Sequence, residues 1–82
     1  MLNISYKQSF LDVIRKIKDN NFKDRVKKLV KKITEDPEVG KPMQYERKGT
    51  REVYAGSFRL SYSYLKDQNE LVFLNIYHKD EQ

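Results

Sequence analysis

The sequence contains no cysteine, which excludes disulfides and thiolate metal ligands and agrees with a reducing compartment. Its single histidine, His78, cannot build a zinc site alone, and Glu35, Asp36 and Glu38 flank a proline at a helix end without ligand-like spacing. No metal and no other cofactor is expected. Only three glycines occur, at 40, 49 and 56, and none opens a helix-like pattern, so a glycine-rich phosphate loop is excluded. No nucleophilic triad can be assembled. The longest apolar run, Leu71 to Leu74, is far short of a membrane span, and Met1 to Phe10 lacks the apolar centre of a signal peptide. These features predict a cytoplasmic protein with no membrane partner.

What is present is a short, basic chain with enough apolar residues for one core. Its 82 residues are 38% hydrophobic and 35% charged, which predicts one folded domain over residues 1–82. Seventeen Lys and Arg against twelve Asp and Glu give a net charge of +5. The corresponding pI near 9.5 favours a polyanion, either nucleic acid or an acidic protein.

Leu2, Ile4 and Tyr6 alternate with Asn3 and Ser5, the period of a strand with one buried face. Phe10, Val13, Ile14 and Ile17 then form a helical stripe, with Ser9 and Asp12 spaced as an N-terminal cap, and this helix ends near Asn20. A second stripe, Phe22, Val26, Leu29, Val30 and Ile33, is capped by Asn21 with Asp24 and stopped by Asp36-Pro37. The pair reads as a helical hairpin. Pro37 to Thr50, with two prolines and two glycines, reads as a basic surface loop. Strands follow at Arg51–Ala55, Phe58–Leu65 and Leu71–Tyr77, separated by turns at Gly56-Ser57 and Lys66–Asn69. The predicted fold is α+β: a first strand, a helical hairpin, and a three-strand antiparallel meander in one sheet with the helices packed on one face.

Strand parity places Phe58, Leu60, Tyr62 and Tyr64 on one face, with Val72, Leu74 and Ile76 as their expected partners against the helices. The other face then carries Arg59, Ser61 and Ser63 beside Phe73, Asn75 and Tyr77. Arg59 is a cation among apolar neighbours, either paired with Glu52 or holding a phosphate through its guanidinium fork. His78 can exchange a proton near neutrality or serve as an ordinary surface residue, and Tyr77 and Lys79 beside it have the same two readings. Lys27 and Lys31 belong to a basic helix whose lysines either face solvent or contact phosphates, contacts that would weaken steeply with salt.

The order of elements, with Pro37 to Pro42 reading PEVGKP, Gly49 before a strand, Gly56 to Tyr62 reading GSFRLSY, and a closing Tyr77-His78-Lys79-Asp80, resembles the RelE/ParE superfamily of type II toxins. The resemblance spans nearly the whole chain. It implies a ribosome-dependent, metal-independent mRNA endonuclease in which the ribose 2′-hydroxyl attacks the adjacent phosphate. Such a site needs a base, cations for the developing charge and an acid. By this resemblance Arg59 clamps the phosphate and His78 is the acid, with Tyr77 beside it. Met43 stands where certain branches place a glutamate base, which leaves Glu46 or Glu52 for that role. Glu52 and Tyr54 stand where other branches carry lysines. Lys27, Lys31, Lys41, Arg47, Lys48, Arg51 and Lys79 are the expected RNA contacts. The expected partners are the ribosome with its mRNA and an acidic cognate antitoxin. Poisoning of DNA gyrase and RNA binding without cleavage are the alternative functions.

Overall fold

The structure, a computed structural model, describes residues 2–43 and 49–81. The N-terminal alternation forms β1 (Asn3–Tyr6), and the two apolar stripes form α1 (Gln8–Lys16) and α2 (Asn20–Glu35). Four further strands follow among the described residues: β2 (Lys41–Pro42), β3 (Thr50–Ala55), β4 (Phe58–Leu65) and β5 (Glu70–His78). They form a mixed sheet in the order β1-β5-β4-β3-β2. The meander β3-β4-β5 is antiparallel as expected, β1 runs parallel to β5, and β2 pairs with β3. β2 lies inside the stretch read as loop. Two residues are too few to show a period, and its proline is tolerated because the strand is at the sheet edge.

The helix boundaries differ from the sequence reading through their capping. Asp19, not Asn21, caps α2, its Oδ1 accepting from the backbone N–H groups of Asn21 at 2.9 Å and Phe22 at 3.4 Å. Ser9 lies inside α1 and caps nothing; its hydroxyl donates to the Leu74 carbonyl at 2.7 Å. Between β3 and β4, Gly56 at φ +62° turns the chain in a two-residue loop, a backbone conformation that favours glycine.

Both helices cover one face of the sheet. Phe10 of α1 and Val26 and Ile33 of α2 pack on Leu60 and Tyr62 of β4 and on Leu71, Phe73 and Ile76 of β5. The expected set Val72, Leu74 and Ile76 is corrected here. Ser61 pairs with Asn75, but the next residue, Tyr62, pairs with Phe73, so Leu74 is an extra residue in β5. This bulge reverses strand parity, and odd-numbered Leu71 and Phe73 share the core with even-numbered Ile76. Side chains take over groups the ladder gives up at the bulge: Ser9 binds the Leu74 carbonyl, and Asn75 Oδ1 accepts from the Ile76 N–H at 2.9 Å.

Beyond α2, the 37–40 segment is pinned from below. The hydroxyl of buried Tyr62 accepts from the Gly40 N–H and donates to the Pro37 carbonyl, both at 2.8 Å. Arg51 Nη1 donates to the carbonyls of Glu38 at 3.0 Å and Gly40 at 2.9 Å. A Cβ on Gly40 would lie 2.6 Å from the Tyr62 oxygen. Gly40→Ala is therefore expected to lower stability by about 1–3 kcal/mol in urea unfolding, because the ring can retreat only by breaking this clamp.

Burial raises the Tyr62 phenol above its ordinary value of 10.0, with the Gly40 hydrogen bond and Arg51 opposing the shift. The folded state thus resists ionisation more than the unfolded chain does. The resulting stability is complete below pH 10 and declines as pH rises toward and through the folded value. Unfolding curves recorded from pH 9 to 11 should converge for wild type and Tyr62→Phe as this contribution is lost.

Candidate nucleic-acid interface

The face of the sheet away from the helices carries the candidate site. Cross-strand pairing sets two rows on it. In one, Tyr54, Arg59 and Tyr77 stand side by side on β3, β4 and β5; in the other, Lys41, Glu52, Ser61 and Asn75 run from β2 to β5. Arg59 lies at the centre of the first row. Its guanidinium carbon sits 3.9 Å over the centroid of the Tyr54 ring, and Nη1 donates to the carbonyls of Phe58 at 3.2 Å and Gly56 at 3.4 Å. Stacking and these hydrogen bonds hold the fork in one plane. Among the described residues Arg59 makes no ion pair, which decides against the Glu52 salt bridge.

Glu52 is instead matched with Tyr77. The small Ser61 side chain stands between them, and the Tyr77 hydroxyl donates to Glu52 Oε2. Glu52 is only 5% exposed, a burial that a carboxylate tolerates when its oxygens accept hydrogen bonds. The result is a cation, a phenol and a shielded carboxylate on one open surface. Phe73, expected on this face, is fully buried in the core, and the bulge puts Val72 opposite Ser63 in its place.

The other sequence-predicted residues divide. Lys41 is brought to the site as the cross-strand neighbour of Glu52. Arg51 is not. It pairs with Tyr62 on the helix-covered face, and its guanidinium is engaged by loop carbonyls. His78 is also separated from Arg59, because it pairs with Phe58 and strand alternation turns it to the helix side. There its ring and that of Phe58 are nearly perpendicular with centroids 5.2 Å apart, and its Nδ1 is 3.4 Å from Asp80 Oδ2. The expectation that His78 and Arg59 flank one phosphate is thus corrected by the register. Lys27 and Lys31 are exposed on the outer side of α2, and Lys79 begins a 3-10 turn after β5, its N–H bonded to the Ser57 carbonyl. Neither lysine of α2 shares the Arg59 surface. Glu46, Arg47 and Lys48 lie outside the described residues. Tyr54 was missed as a site residue. Its signal was its two-residue hairpin relation to Arg59, which fixes the pair opposite each other.

Two helices on one face of a five-strand mixed sheet, with an arginine in the open face, define a RelE-like toxin fold. The structure superimposes on the toxin-antitoxin complex RelBE2 from Mycobacterium tuberculosis with a TM-score of 0.79 at 22% identity, covering 94% of this chain and 96% of that one. It matches the YoeB/ParE toxin from Agrobacterium tumefaciens with a TM-score of 0.81 at 13% identity, covering 94% and 98%. For the intact RelBE toxin-antitoxin complex of E. coli the TM-score is 0.78 at 14% identity, covering 95% and 96%. No curated relative matches the sequence. The chain belongs to the family described as the ParE toxin of type II toxin-antitoxin system, parDE, whose model matches residues 4–82. It is thus a ParE-family toxin of the type II class, with the fold of the RelE and YoeB structures.

Proposed function

We infer that this toxin cleaves mRNA on the ribosome, using the open sheet face as its active surface. The observation that carries this reading is Arg59, fixed in the plane of a stack, without a carboxylate partner among the described residues, beside the Tyr77–Glu52 hydrogen bond. A phosphate seated on the guanidinium fork would receive charge-assisted hydrogen bonds that strengthen as negative charge develops in the transition state. As the 2′-oxygen attacks phosphorus, its proton passes to the Tyr77 oxygen and the Tyr77 proton passes to Glu52; the P–O5′ bond breaks to leave a 2′,3′-cyclic phosphate, and the departing 5′-oxygen takes its proton from water. Glu52 is thereby the terminal base, shielded from water and acting through the phenol. Lys41 adds positive potential at the rim.

The test is in vitro translation of a defined message with the toxin added and cut sites mapped by primer extension. Cuts within ribosome-occupied codons support the reading. Glu52→Gln, which keeps the shape and loses the proton acceptor, is expected to slow cleavage by about a hundredfold or more, since one positioned base contributes on that scale. Intact message in the presence of folded toxin would overturn it. The second reading, gyrase poisoning, is the activity the resemblance implies for the other half of the superfamily, and the matching family model is one of ParE toxins. Gyrase-trapped DNA breaks with intact mRNA would identify it, and binding to RNA without products would identify a module that does not cleave.

The cognate partner in this reading is an acidic antitoxin. The net charge of +5 and the exposed lysines of α2 suit such a chain, and the solved M. tuberculosis and E. coli neighbours are toxin-antitoxin complexes. The toxin acts in the cytoplasm, and among the described residues no helix is long and apolar enough to cross a membrane.

A further inference from the structure

We propose that Tyr54 is a nucleobase-stacking platform, so that Tyr54 and Arg59 together grip one nucleotide of a single-stranded RNA by its base and its phosphate. This rests on the functional reading above and deepens it by naming the residue that takes the base. Tyr54 is 55% exposed, the highest value among the described large hydrophobic side chains that stand clear of the core, although it sits in a sheet strand rather than a loop. Its exposure is not idle. Arg59 covers one side of the ring at 3.9 Å, which fixes the aromatic plane. An aromatic face held in place beside a cation is the arrangement that binds unpaired bases without regard to sequence.

The row geometry supports the same division of labour. Tyr54, Arg59 and Tyr77 are successive cross-strand neighbours, spanning two inter-strand spacings, or roughly 10 Å. A base on Tyr54 leaves its own sugar and phosphate over Arg59, and the chain continues toward the Tyr77 hydroxyl. The guanidinium serves both ends, stacking through its face and binding phosphate through its edge. A duplex cannot use this site, because its bases already stack on one another and present no free face. The substrate class is therefore unpaired RNA with at least one base free to leave its neighbours.

The chain has no tryptophan, so Tyr54→Trp installs a sole indole reporter at the site. Its emission should be quenched by a single-stranded hexaribonucleotide and left unquenched by an abasic hexamer of equal charge. In anisotropy titrations at low salt, Tyr54→Ala should weaken hexaribonucleotide binding by about tenfold or more without altering abasic binding. Tyr54→Phe, which keeps the ring, should restore the affinity lost in the alanine variant. Full affinity in folded Tyr54→Ala, with affinity lost in Arg59→Ala, overturns the platform and leaves the active-surface reading standing. If Arg59→Ala also binds like wild type, or wild type binds no single strand, the platform falls, and cleavage on the ribosome decides the active-surface reading separately.

Discussion

Arg59→Ala is expected to lower ribosome-dependent mRNA cleavage by about a hundredfold or more, and His78→Ala to leave it close to wild type. The size of the first effect follows from the loss of a preorganised cation at the point where charge develops. Arg59 is held by the Tyr54 ring and two backbone carbonyls, so little of its binding free energy is spent on ordering the side chain. Arg59→Lys should recover only part of the rate, since an ammonium offers neither the planar fork nor the same stack. The second effect follows from register. His78 stands opposite Phe58 on the helix side, while Arg59 stands opposite Tyr77 on the open side. Primer-extension rates on one message, with unfolding curves to show that each variant is folded, check both. A hundredfold loss in His78→Ala with Arg59→Ala unaffected would move the active surface to the other face of the sheet.

Phe73→Ala is expected to cost about 3–5 kcal/mol in urea unfolding, a large part of the roughly 5–15 kcal/mol that holds a small domain together. Phe73 is fully buried and meets Tyr6 in a stack at 5.1 Å, with Phe10 at 5.4 Å and Tyr62 at 6.3 Å. Truncation removes the side chain on which the three rings converge, and the helices and sheet around it cannot all close on the void. Leu74→Ala, one residue along, should cost less than half as much. Leu74 is the extra residue of the bulge, only partly buried, and its contribution to the fold is the backbone carbonyl that receives Ser9. Without a bulge, alternation from Ile76 would put Leu74 in the core and Phe73 outside, and the order of the two costs would reverse.

Local pattern was sufficient wherever one period dominated. The apolar stripes of α1 and α2, the turn at Gly56-Ser57, and the alternation of Phe58, Leu60 and Tyr62 each follow from a single repeat in the residues themselves. The resemblance carried further, because its quoted words lie at the turn, the 37–42 segment and the end of β5, and the ParE family match bears it out. Arg59 was legible as a candidate because a cation between apolar neighbours is costly without a ligand or a partner.

The sequence by itself thus determined the helices, the strands other than two-residue β2, their class and the residue at the centre of the open face, since these depend on neighbours within a few positions. Only the tertiary structure decided who shares that face. Four apolar residues in succession, Leu71 to Leu74, carry no alternation, so nothing local could place the bulge that sends Phe73 inward and settles the far end of β5. Pairing across β4 joined Glu52 to Tyr77 and Tyr54 to Arg59, and turned Arg51 and His78 to the other side. Such contacts are fixed by register between strands distant in sequence, where a shift of one residue exchanges the two faces.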